Sequence, residues 1–156
     1  SLNLEKDKEK EKLDARIRGY ISYMHEKGLY DENLFVKVPY FSNIHAYNSL
    51  KEKFDSDIVP TAVISCNDSM ANGAYKAIIE AGYKVGDDIS VIGFNDQSSA
   101  EYMIPSLSTV RLPMKTIGYE AVKLISERLK EDRDYSKVVL LKTELIVRDS
   151  SKVCKG

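Results

Sequence analysis

The sequence is poor in the residues that carry catalysis, metal binding and cross-linking. Two cysteines, Cys66 and Cys154, occur in 156 residues. They are too few for a disulfide framework and lack metal-ligand spacing. The two histidines, His25 and His45, each fall in a helical stretch with no paired acid or thiol, and read as solvated side chains. No G-x-S-x-G elbow, P-loop or G-x-G-x-x-G fingerprint is present. Neither sign of charge dominates: Lys+Arg 23 against Asp+Glu 24 gives a formal charge of -1. A domain that grips a phosphate backbone by itself needs a net basic face. There is no run of 18 apolar residues and no apolar h-region at the start. These absences argue against an enzyme, a metal or cofactor requirement and a membrane span, and leave a soluble, cytoplasmic domain as the expectation.

What is present is ordinary globular composition, 43% hydrophobic and 30% charged, enough for one core hiding roughly 70% of the unfolded surface. Residues 5–12, EKDKEKEK, carry no apolar side chain and read as a solvated helical lead-in. Leu13, Ile17, Tyr20, Ile21 and Met24 lie on one face of a helix ending near Gly28. LFVKV (34–38) has strand propensity, and a helix is expected over about 44–54. From Pro60 onward, apolar runs at 61–65, 89–94 and 107–112 alternate with helical patterns at 68–82 and 114–130. The run at 61–65 reads as a strand covered on both faces, and segments within 138–147 as closing strands. This alternation predicts an α/β fold, a mostly parallel sheet with helices on both faces. An open parallel sheet usually begins with a strand, yet this chain opens on a charged helix, so a strand ahead of residue 13 is expected to be missing.

In open α/β sheets, ligands sit at the carboxyl ends of strands. Cys66, Asn67 and Asp68 follow the first of these strands, and Asn95, Asp96 and Gln97 the second. Their short amides and carboxyls suit a polyhydroxylated ligand, since they donate and accept together. The same residues are also ordinary helix caps and turn formers, and both readings stay open here. Asp87-Asp88, after a glycine and ahead of a strand, reads as a turn.

The stretch from PTAVISCNDSMANGAY through ISVIGFND to LSTVRLP, with the closing TELIVRDSS and the upstream RIRGYISYMHEKGL, resembles the lactose-repressor/galactose-repressor family of transcriptional regulators. The likeness spans about residues 13–151 and falls on the effector-binding core, a periplasmic-binding-protein-like (type I) lobe. It implies a small polar effector, typically a sugar or nucleobase, held between two lobes, with no cofactor. Three effector contacts carry over by motif: Arg16 of R-I-R-G-Y, Asn67 of C-N-D-S-M and Asn95 of G-F-N-D. Arg18 lies close to Arg16 but does not fit the motif. Asn95 stands where sugar-responsive members commonly have aspartate, which exchanges a charged acceptor for a neutral donor and acceptor.

The resemblance further implies a domain plan: a lead-in at 1–12, the C-terminal part of the effector domain at 13–151 and a tail at 152–156. A helix-turn-helix headpiece that reads operator DNA, and most of the first lobe, would lie outside these residues. The apolar stripe Met114, Ile117, Ala121, Leu124 and Ile125 would then need a partner. With Tyr102, Met103 and Ile104 it suggests a homodimer. The rival readings are a solute-binding protein of a sugar transporter and a flavodoxin-like enzyme or receiver.

Overall fold

The computed structural model describes residues 14–153. The expected lead-in and Cys154 therefore lie outside the described residues. The chain divides into two compact units at the Lys37–Val38 junction.

In the first unit, Asp14 opens helix α1 (Ala15–Glu26) by accepting the Arg16 backbone N–H, a side-chain N-cap that satisfies one otherwise orphaned donor. The chain leaves the helix through Gly28, at φ +67°, where a side chain would be strained. A single 3-10 turn, Glu32–Leu34, follows. Here the expectation of a strand at 34–38 fails: Leu34 belongs to the turn and residues 35–38 pair with no strand. Strand propensity describes fit to a pleated neighbour, and this stretch has none.

The second unit contains helix α2 (Asn43–Asp55), strand β1 (Ala62–Ile64), helix α3 (Asp68–Glu80) and strand β2 (Ser90–Asn95). A 3-10 turn (Ser98–Tyr102), strand β3 (Ser108–Arg111), helix α4 (Met114–Lys130) and strand β4 (Glu144–Ile146) complete it. The sheet order is β1-β2-β3-β4. β1, β2 and β3 run parallel, and β4 closes the edge antiparallel to β3. The fold is thus the expected α/β arrangement, a mostly parallel sheet with helices.

Helix α3 organises the core. Its buried face is built from Met70, Ala71, Gly73, Ala74, Tyr75, Ala77 and Ile78, of which Ala71, Ala74, Tyr75, Ala77 and Ile78 share one core cluster with Val91 of β2 and with Leu107. The small residues let neighbours come close. A Cβ on Gly73 would lie 2.0 Å from the Asn43 carbonyl oxygen, so only glycine permits the start of α2 to rest there. Large apolar side chains such as Ile78 and Leu107 each contribute about 1.5–3 kcal/mol by leaving water.

Two strand expectations need correction. β1 is not covered on both faces: it is a three-residue edge strand whose Ile64 is 62% exposed, with only Val63 turned inward. An edge position and alternating side chains leave one face to solvent. Residues 138–141 form no strand either, and Leu140 is 91% exposed. β3 ends at Arg111, opposite Glu144, so the residues ahead of Glu144 have already run past the end of their neighbour.

The segment after β4 is fastened instead by side chains. Ser150 is fully buried; its Oγ donates to the Val91 carbonyl at 2.6 Å and accepts from the Ser108 N–H at 2.7 Å. Helix α4 buries no residue, and Met114 and Ile125 of its stripe are 62% and 60% exposed. Among the described residues no helix is long and apolar enough to cross a membrane.

Candidate functional site

The strand-end loops after β1 and β2 are held by two buried carboxylates. At the end of β1, Asn67 takes an extended backbone and caps α3, its Oδ1 accepting the Met70 N–H at 2.8 Å. Its Nδ2 donates to the Phe41 carbonyl at 3.2 Å, so both ends of the amide are engaged. The capping alternative therefore describes Asn67. It does not describe Asp68, whose side chain turns inward and is 2% exposed.

The Asp68 carboxylate joins three pieces of backbone. Oδ2 accepts the Gln97 N–H at 2.7 Å, and Oδ1 accepts the Thr109 hydroxyl at 2.6 Å. Thr109 Oγ1 in turn accepts the Asp96 N–H at 3.4 Å. Room for this comes from Gly93, where a Cβ would stand 2.2 Å from Asp68 Oδ1.

At the end of β2, Asn95 and Asp96 adopt φ +111° and +54°, the turn geometry that Asn and Asp tolerate best among non-glycine residues. Asp96 accepts Arg111 Nε at 2.6 Å and Arg148 Nη2 at 2.9 Å. Its own side chain is 8% exposed, Arg148 is 15% and Arg111 50%. Burial works to raise the Asp96 carboxyl pKa, but the hydrogen bonds and charges of the two guanidiniums outweigh it and hold the value below the ordinary carboxylate range. Arg148 also donates to the Leu107 carbonyl at 2.7 Å, tying the segment after β4 to the same corner.

Of the three predicted contacts, Asn67 and Asn95 are half-buried and lie at the ends of adjacent strands of one sheet. Arg16 belongs to the first unit. Its guanidinium forks onto Asp14, Nε to Oδ1 and Nη2 to Oδ2, both at 2.8 Å. Hydrogen bonds from Arg16 drop the Asp14 carboxyl to about 2. Of the dimer candidates, Tyr102 and Ile104 are 80% and 88% exposed and Ile117 is 37%, whereas Met103 packs against the core. His25 stacks on Tyr30, and His45 Nδ1 meets Ser42 Oγ at 2.7 Å. Among the described residues no His, Cys, Asp and Glu group could hold a metal ion.

Sequence reasoning missed Asp68, Thr109 and Arg148 as parts of one network. The available signal was an aspartate after each strand-end asparagine, together with a threonine inside an apolar strand and a glycine facing it.

A mostly parallel sheet with polar loops at its carboxyl edge, backed by helices, is the layout in which open α/β folds take ligands at the strand ends. The chain belongs to the periplasmic binding protein-like domain family, whose model matches residues 3–151, and within it to the lactose-repressor/galactose-repressor regulators. It is 46% identical over 106 residues to a lactose operon repressor of Rhizobium radiobacter, covering 68% of this chain and 93% of that one. It is similar to the solved complex of the regulator CelR with cellobiose, at 28% identity and a TM-score of 0.80, covering 87% of this chain and 42% of that one. It is also similar to the lac repressor dimer bound to operator and an anti-inducer, at 29% identity and a TM-score of 0.79, covering 88% of this chain and 48% of that one. The chain spans only 41% or 42% of the length of several other curated repressors and regulators that it matches.

Proposed function

We propose that the chain is the ligand-sensing part of a cytoplasmic transcriptional regulator, binding a small polar effector, a sugar or sugar derivative, and having no catalytic role. Operator contact belongs to a helix-turn-helix headpiece outside these residues. The observation that carries the reading is the pair of half-buried amides, Asn67 and Asn95, at the carboxyl ends of adjacent strands. Each stands beside a carboxylate already satisfied internally. Beyond its bonds to Met70 and Phe41 the Asn67 amide keeps one lone pair and one N–H, so such amides can still accept and donate to vicinal hydroxyls without adding charge. Arg16 enters this reading by its motif alone; within the first unit its Nε and Nη2 fork is held by Asp14. An effector that closes two lobes alters DNA binding only through its differential affinity for the two states. The named relatives are repressors, which favours a regulator over a transporter's solute-binding protein.

Calorimetry on the full-length protein with a panel of mono- and disaccharides tests this. One sugar should bind, alter operator affinity, and lose about 1.5–3 kcal/mol on Arg16→Ala. A sugar that binds equally well to Arg16→Ala would remove that contact.

The regulator acts as a homodimer in this reading, supported by the exposed apolar side chains of Tyr102, Ile104 and Ile117. Sedimentation of Ile104→Asp and Ile117→Asp assigns the interface, because an unpaired carboxylate buried there should split the dimer. A monomeric wild type across micromolar concentrations would reject it.

A further inference from the structure

We infer that Asp68 is a positioning residue: its buried carboxylate fixes the spacing between the two effector-facing amides, Asn67 and Asn95, and so sets the affinity of the site. The inference rests on the effector-site reading above. It goes further because it assigns the affinity to a group buried at 2% exposure, out of a ligand's reach.

The argument is geometric. Asp68 occupies the first position of α3, one residue after Asn67, so its place in the helix carries Asn67 with it. Its Oδ2 holds the Gln97 N–H, two residues after Asn95, at 2.7 Å. Its Oδ1 takes the Thr109 hydroxyl at 2.6 Å, and Thr109 Oγ1 accepts the Asp96 N–H at 3.4 Å. One carboxylate thus bolts the β1 loop to the β2 loop twice, once directly and once through β3. Both ends of the bolt are inaccessible, with Asp68 2% and Thr109 0% exposed. The loop it restrains also holds two positive-φ residues, Asn95 and Asp96, a conformation that persists only where surrounding contacts over-determine it. An acceptor is required at both side-chain oxygens of residue 68. An amide at 68 that keeps Oδ toward the Gln97 N–H must point its NH2 at Thr109 Oγ1, which already accepts from Asp96. The threonine hydroxyl proton then has no acceptor in the network.

The test uses the full-length protein with galactose, lactose, cellobiose and ribose as probes. Hydrogen exchange over residues 95–98 and calorimetric affinity are measured in Asp68→Asn, Thr109→Val, Thr109→Ser and Asn95→Ala. Thr109→Val removes the hydroxyl at nearly constant shape and serves where Asp68→Asn does not fold. Thr109→Ser keeps the hydroxyl and should restore both readouts. The expected result is at least tenfold faster exchange and at least tenfold weaker sugar binding in Asp68→Asn and Thr109→Val. Thr109→Ser should stay within threefold of wild type in both. Unchanged exchange in the loop overturns the inference whether or not a sugar binds. Faster exchange with affinity within twofold of wild type also overturns it, and reduces Asp68 to a structural group. A wild type that binds none of the four sugars, or an Asn95→Ala that binds as wild type, brings down the effector-site reading itself and the inference with it.

Discussion

At the end of β1 the Asn67-Asp68 pair, and at the end of β2 the Asn95-Asp96 pair, present the same two side chains in the same order. Their surroundings divide the work differently. Asp68 is held by neutral donors, a hydroxyl and a backbone N–H, inside the sheet's helix-covered corner. Asp96 is held by two guanidiniums, one nearly buried and one half exposed. Asn67 is extended and serves the helix behind it, whereas Asn95 turns through positive φ and serves the loop. The difference teaches that a carboxyl group can be buried by either route. The neutral route locks neighbouring backbone in place, and the charged route adds a dependence on protonation.

The neutral side of the comparison should break hardest. Asp68→Ala strands the Thr109 hydroxyl and the Gln97 N–H, and each donor left unsatisfied costs about 1–3 kcal/mol. A loss of about 3–5 kcal/mol is expected in urea unfolding with an unchanged denaturant slope. A loss below about 1 kcal/mol would show that water takes over the acceptor role.

Asp96→Asn tests the charged side and should cost about 1–2 kcal/mol, since Arg111 is half exposed and screened. The sign of its pH dependence follows from the lowered carboxyl. A carboxyl more acidic in the folded state gives stability that is complete above its ordinary value of 3.8 and fades as pH falls through the lower folded value. The gap between wild type and Asp96→Asn should therefore be constant above about pH 5 and close on acidification below 3.8. A gap that does not begin to narrow below pH 3.8 would mean the arginines contribute through packing instead.

The strand-end positions of these four residues were legible from the alternation of apolar runs and helical stripes, because parallel-sheet topology dictates where loops fall. Their individual roles were not. Asn67 and Asp68 are adjacent and both polar, and only the direction of the α3 axis decides that Asn67 caps and Asp68 points inward. The failures at 34–38 and 138–141 share one cause: pairing is a property of two strands. Nothing in LFVKV or VVLL says that a neighbour is absent or ends too early. An apolar run such as 61–65 does not reveal that it lies at a sheet edge, which is why β1 leaves Ile64 outward where cover on both faces is expected. The helix stripes fared better in α3 than in α4. Periodicity names the face to be covered, and α3 finds its cover within the unit, while α4 buries no residue.

A smaller effect separates the two asparagines by their caps. Asn67→Ala removes the side-chain acceptor for the Met70 N–H and should cost about 1 kcal/mol, while Asn67→Asp or Asn67→Ser should recover most of it. Chemical denaturation of the three variants checks this. Equal loss in all of them would assign the effect to the Phe41 contact instead.

The smallest expected change in stability comes from Asn95→Gly. Asn95 sits at φ +111°, where a side chain is strained by roughly 1–2 kcal/mol and asparagine by less. Glycine relieves that strain but loses about 0.5–1 kcal/mol through the greater freedom of its unfolded chain. The two terms nearly cancel, so the unfolding free energy should change by less than about 0.5 kcal/mol. Asn95→Ala keeps the strain, loses the amide, and should cost about 1 kcal/mol. Because glycine preserves the turn and deletes the amide, it isolates the contact that the effector-site reading assigns to this position. Sugar affinity should then fall in Asn95→Gly as far as in Asn95→Ala, although their stabilities differ. If affinity instead follows stability, falling in Asn95→Ala and holding in Asn95→Gly, then Asn95 shapes the loop and does not touch the effector.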